Sequence, residues 1–78
     1  MKLSIYNSEN NEFVVQGVHS SIYFDNVLPT TGDIIDINSP NNKNKASMYL
    51  VKKRCFASRR PNTHVTLYVE KLEDYDIE

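Results

Sequence analysis

Apolar residues along this chain come singly or in short runs, and they alternate with polar residues at a period of two. Residues 64–72 show the pattern most cleanly. Val65, Leu67 and Val69 fall on one face, and His64, Thr66, Tyr68 and Glu70 on the other, which is the pattern of a half-buried strand. No segment carries the 3.6-residue repeat of a long amphipathic helix, and the apolar runs are rich in Val, Ile, Tyr and Phe, which suit a pleated surface. The spacing predicts five or six strands. Residues 3–6 place Leu3 and Ile5 on one face. In residues 12–18 Phe13 and Val15 point inward, and Gly17 marks a bulge or sharp bend. Residues 22–27 set Ile22 and Phe24 against Tyr23. In residues 33–37 Ile35 and Ile37 face a core while Asp36 faces water. Residues 46–56 form a long strand, apolar on both faces at Met48-Tyr49-Leu50-Val51, with a bulge expected near Lys52 or Lys53.

The polar stretches between these runs are turns. Asparagine is frequent in them and tolerates turn conformations well. Asn10-Asn11 and Leu28-Pro29-Thr30-Thr31-Gly32 read as tight turns, residues 39–45 as the most mobile loop, and residues 58–62 as the tip of a hairpin. Residues 73–78 read as a frayed, flexible acidic tail. Short strands with a turn every ten residues or so predict an all-β domain over residues 1–72. A small, partly open barrel of five to six strands fits that count, because closure removes the edges on which strands aggregate.

One order of motifs adds to this reading. Leu28-Pro29-Thr30-Thr31-Gly32-Asp33-Ile34-Ile35 is followed by Tyr49-Leu50-Val51-Lys52-Lys53-Arg54-Cys55-Phe56, and then by Val65-Thr66-Leu67-Tyr68-Val69-Glu70. Over residues 28–70 this resembles small SH3-like β-barrel proteins, including short accessory proteins encoded by phages and mobile elements. The resemblance implies an SH3-like barrel that binds protein, peptide or nucleic acid, usually without catalysis.

Size and charge narrow the picture further. At 78 residues the chain buries only about 60% of the surface its unfolded form exposes, so a deep catalytic cleft is hard to build and a binding surface is easier. A single cysteine, Cys55, excludes an internal disulfide and suits a reducing, cytoplasmic setting. Position 55 lies in a predicted strand, so a buried thiol is expected. No signal-like segment opens the chain, and no apolar stretch approaches the roughly 20 residues of a membrane helix.

The formal net charge of −1 conceals a strong segregation. Residues 1–42 set Lys2 against Glu9, Glu12, Asp25, Asp33 and Asp36, a net of −4. Residues 43–60 hold Lys43, Lys45, Lys52, Lys53, Arg54, Arg59 and Arg60 with no acid, a net of +7. Residues 61–78 set Lys71 against Glu70, Glu73, Asp74, Asp76 and Glu78, again −4.

The chemistry-bearing residues point away from catalysis. There is no Gly-x-Ser-x-Gly, no phosphate-cradling glycine loop, and no metal-ligand spacing among Cys55, His19 and His64, so no catalytic residue, metal or cofactor is expected. The candidate binding residues are Lys52, Lys53, Arg54, Arg59, Arg60, His64 and Tyr68, which the strand parity gathers around one basic hairpin. Its plain reading is a solvated edge whose cations discourage strand pairing. Phe56 is expected in the core, and Tyr6, Tyr23 and Tyr68 are expected to be exposed.

Three functions fit. The first is a non-enzymatic protein-binding module, in line with an accessory protein that docks on, and inhibits, a host protein complex. Exposed tyrosines would serve there as anchors. The second is a nucleic-acid-binding module, in which the hairpin cations contact phosphates and Tyr49, Phe56 or Tyr68 stack on bases. The acidic flanks weaken the general field such binding needs. The third is a structural or assembly subunit that associates with its own copies through a strand edge.

Overall fold

The computed structural model describes residues 1–58 and 60–77. Their alternating apolar residues form five strands: β1 (Lys2–Asn7), β2 (Glu12–His19), β3 (Ile34–Ser39), β4 (Asn42–Ser58) and β5 (Thr63–Asp76). They build one mixed sheet in the order β2-β1-β5-β4-β3. Its central pair, β1 and β5, is parallel, and every other pair is antiparallel. The sheet does not close: β2 and β3 are its two edges.

The period-two faces are those the alternation predicts. Leu3, Ile5, Val65, Leu67 and Val69 are fully buried, and Val15, Ile35, Ile37, Tyr49 and Val51 join them in one cluster. Each such side chain contributes about 1.5–3 kcal/mol when removed from water. The cluster draws on both edge strands, β2 through Val15 and β3 through Ile35 and Ile37, so the sheet curls over its own apolar face. Between the curled edges lies an open groove of about 640 Å³, lined by residues such as Phe13, Val14, Ile37 and Asn38.

Local chemistry sets the turns and bulges. Asn7 accepts the Glu9 amide at 3.0 Å and Asn10 the Glu12 amide at 3.1 Å, which closes the β1–β2 turn. In β2 Gly17 sits at φ +64° where the register slips by one residue, so Leu3 faces Val18 while Ile5 faces Val15. The freed Gly17 amide donates to the buried Ser4 hydroxyl at 2.9 Å. Gly32, at φ +95°, ends the Thr30–Asp33 turn, in which Asp33 accepts the Thr30 amide at 2.8 Å.

Several expectations are corrected. Residues 22–27 are not a strand. Two short 3-10 turns, Ser20–Ile22 and Phe24–Asn26, carry the chain from β2 across to β3. Phe24 and Asp25 take positive φ, and the His19 ring accepts the Ser21 amide, a local bond that competes with the ladder. Tyr23 and Phe24 then both pack on the core cluster, while Ile22 is 70% exposed.

The polar stretch 39–45 is not a long loop. It turns at Pro40 and Asn41, and β4 starts at Asn42. Residues 73–76 are not frayed: β5 runs on through Asp76, paired with β4 to Lys45, and the Ile77 amide donates to the Asn44 carbonyl at 2.7 Å. Phe13 is 48% exposed rather than inward, because a second register slip, between Ile5 and Tyr6, turns it outward opposite Tyr6. Glu78, which the sequence placed in the tail, lies outside the described residues.

Candidate functional site

The β4–β5 hairpin is longer than the rest of the sheet. β3 pairs with β4 only from Asn42 to Leu50, and the contact ends where Val51 bonds Asp33 and Gly32 through its amide and carbonyl, both at 2.9 Å. Beyond that point residues 52–58 have β5 on one side and, among the described residues, no strand on the other. The basic run 52–54 occupies this overhang because of two features. The Thr30–Asp33 turn keeps β3 from starting before Ile34, and the bulge expected near Lys52 or Lys53 is there. Val51 faces Val69 and Lys53 faces Tyr68, which leaves Lys52 as the extra residue.

The bulge decides which way each side chain points. Without it Lys53 would lie on the face of Val51. With it, Arg54 and Phe56 stand opposite Leu67 and Val65 on the apolar face, and Lys53 and Cys55 stand opposite Tyr68 and Thr66 on the other. Lys52, Lys53, Arg54, Cys55 and Phe56 are all exposed. Cys55 is therefore not a buried thiol, and Phe56, at 52% exposure, is not in the core. Both lie beyond Leu50, where the pairing of β4 with β3 ends. The Arg54 guanidinium rests 5.3 Å from the Phe56 ring centre, and the Lys53 ammonium 4.9 Å from that of Tyr68. Such contacts hold a cation without neutralising it.

None of Lys52, Lys53, Arg54 and Arg60 forms an ion pair with a described residue. The other end of the hairpin behaves in the opposite way. There Lys45 meets Asp76 at 2.6 Å and Lys71 meets Asp74 at 3.2 Å. Ser47 donates to Asp74, and the Tyr75 hydroxyl to Asp36. These bonds move the titrations of the groups that make them. Asp74 is held below the usual carboxylate range by the Ser47 hydroxyl and then by Lys71. Tyr75 is raised by the bond to Asp36, and Lys45 by its bond to Asp76. The block of cations in residues 43–60 thus divides in space, with Lys45 paired to a carboxylate at the inner end and 52–54 and 60 on the overhang.

The remaining expected site residues fall into place around this overhang. Arg60 is exposed at the hairpin tip, and Arg59 lies outside the described residues. His64 is half-buried, with Nε2 2.9 Å from the Ser4 hydroxyl, so it belongs to the sheet's own packing rather than to the basic surface. Tyr6, Tyr23 and Tyr68 are half-buried, not free anchors. Tyr68 belongs to a cross-strand row, Phe13-Tyr6-Tyr68-Lys53, whose rings meet edge to face at centroid distances of 5.0 and 5.8 Å. Exposed Phe56 and Cys55 were not legible as surface residues, because the signal that exposes them is the late start of β3.

Among the described residues no cluster of three His, Cys, Asp or Glu side chains is arranged to hold a metal ion, and no helix is long and apolar enough to cross a membrane. Comparisons with protein-family models, curated proteins and solved structures yield no match for this chain.

Proposed function

We propose that this chain is a non-enzymatic protein-binding module, and that its contact surface is the overhanging basic half of the β4–β5 hairpin. The observation that carries this reading is the set of cations at 52–54 and 60. They stand exposed, Arg54 against the exposed ring of Phe56 and Lys53 on the other face of the strand, with no carboxylate of the described chain paired to them. An exposed aromatic next to unneutralised cations matches a partner that presents acidic and apolar groups together. Docking on a host protein complex, in the manner of phage or mobile-element accessory proteins, is the form the sequence resemblance gives to this proposal. The SH3-like barrel and the cytoplasmic setting belong to the same reading. A curled sheet whose two edges share one core, and a chain with a single cysteine, support them.

A nucleic-acid reading is favoured by one observation, the Phe13-Tyr6-Tyr68-Lys53 row, in which aromatic rings lead up to a cation. Its rings interlock edge to face, and two of them are half-buried. Within the row Phe13 alone is exposed, at the end away from Lys53, and the exposed Phe56 stands outside the row with Arg54 against its ring. The protein reading therefore takes precedence.

The test compares the wild-type chain with the triple variant Lys52→Glu, Lys53→Glu, Arg54→Glu in affinity capture from host extract treated with nuclease. The expected result is a stoichiometric protein partner retained by wild type and lost in the variant. Equal capture by both chains would reject this surface. Loss of capture on nuclease treatment, with direct binding to oligonucleotides that falls steeply with salt, would favour nucleic acid.

A further inference from the structure

We infer that the overhang of β4 binds its partner as a strand: an extended acidic segment adds to the sheet beside residues 52–58, in line with β3. This rests on the protein-binding reading above and specifies its mode.

The backbone register carries the inference. Val51 directs its amide and carbonyl toward β3, where Asp33 and Gly32 take them. Strand residues alternate in this direction, and the extra residue at Lys52 shifts the alternation by one. The β5 side agrees. The Val69 carbonyl turns toward β1, where the Ser8 amide meets it at 3.2 Å, so Leu67 and Val65 also turn toward β1, and their partners Arg54 and Phe56 turn away from β5. The amides and carbonyls of Arg54 and Phe56 thus face the side of β4 that β3 leaves vacant. An edge of this kind is completed by main-chain bonds from an added strand.

The flanking side chains select the chemistry of that strand. On the apolar face it would lie beside Phe56, with Arg54 next to it. On the opposite face it would lie beside Lys53. A segment alternating carboxylate and aliphatic residues meets both faces: aliphatic side chains cover the Phe56 ring and carboxylates reach Lys53. The cations that turn away an uncharged or basic strand then attract an acidic one. A second copy of this chain pairing edge to edge would oppose like charges across the joint, which disfavours self-association at this edge.

The experiment uses the full chain and a fluorescein-labelled ten-residue peptide of alternating Glu and Val, read by anisotropy. Saturable binding is expected, weakened at least tenfold by Lys53→Glu, which reverses the charge the carboxylates meet. A second peptide of the same sequence carries N-methyl groups on the amides of one edge, and a third on those of the other. One of these two should lose at least tenfold in affinity while the other binds like the parent, because a strand in the sheet bonds through one edge only. Equal binding by all three peptides would overturn strand addition and leave a charge-only contact, with the protein-binding reading intact. Absence of peptide binding, in a protein that still captures its partner through 52–54, would overturn strand addition alone. Stronger competition by a single-stranded oligonucleotide than by the peptide would overturn both. Sedimentation showing a dimer of the chain that Arg54→Glu dissociates would assign the edge to a second copy and overturn the inference.

Discussion

The two halves of the β4–β5 hairpin share strands, core face and antiparallel register, yet they use charge in opposite ways. In the inner half, residues 42–50 of β4 are flanked by β3 and β5, and Lys45, Lys71, Ser47 and Tyr75 satisfy Asp76, Asp74 and Asp36 within the chain. In the outer half, residues 52–58 have one neighbour, and their cations rest near aromatic rings or in water. Nearly all the difference comes from where β3 begins. A third strand brings the structure to completion on one side of Val51, and its absence leaves a surface on the other.

The largest expected effect bears on what the halves share. Leu67 is fully buried and lies opposite Arg54 in the outer half. Leu67→Ala should cost about 2–5 kcal/mol in urea unfolding. A cost below about 1 kcal/mol would mean that the outer half is not anchored to the core. Next comes the charge contrast. Lys52→Glu, Lys53→Glu, Arg54→Glu should weaken partner binding by about a hundredfold, while stability stays within about 0.5 kcal/mol of wild type. Lys43→Glu, Lys45→Glu should leave binding unchanged and lower the unfolding midpoint, since Lys45 is paired to Asp76. Equal effects from both variants would erase the distinction between the halves.

A smaller effect is expected where β1 ties β2 to the outer half of the hairpin. Ser4 is 2% exposed and accepts the Gly17 amide. Ser4→Ala should cost about 1–3 kcal/mol through the unsatisfied donor, without changing affinity.

The smallest effects are in pH dependence, and they belong to the inner half. Asp74 is lowered in the folded chain, so its contribution is present above its unfolded value and fades as acid protonates it. Tyr75 is raised, so its contribution is present below its unfolded value, near 10.0, and fades as alkali ionises it. Asp74→Asn should flatten the acid limb of the urea midpoint against pH, and Tyr75→Phe the alkaline limb. An unchanged profile in both variants would show that these bonds do not hold the inner half together.

Much of the fold was legible in the sequence. Side-chain alternation placed Leu3, Ile5, Ile35, Ile37, Val65, Leu67 and Val69 inside, and the bulge beside the lysines followed from the change of parity after Val51. Period-two reading failed where local bonds or register slips intervened. Residues 22–27 alternate well enough for a strand, but the His19 cap and the positive φ of Phe24 and Asp25 coil them instead. Phe13 is reversed by a slip in β2 that leaves no mark in composition. The acidic end read as a tail because carboxylates dominate it. Its partners, Lys45, Ser47 and Asp36, come from other strands, and only the long-range register brings them together. The cations of the candidate surface were visible as a run, whereas the vacant edge beside them depends on the length of β3, which turn residues alone did not specify.

Residue-resolved amide exchange on the full chain, with and without the alternating Glu-Val peptide, tests the central claim most directly. In the free protein the amides of Val51 and Cys55 should exchange slowly and those of Arg54 and Phe56 quickly. Saturating peptide should slow Arg54 and Phe56 by at least tenfold and leave the inner half unchanged. Arg54 and Phe56 amides already as protected as that of Val51 in the free chain, or untouched by bound peptide, would contradict the account.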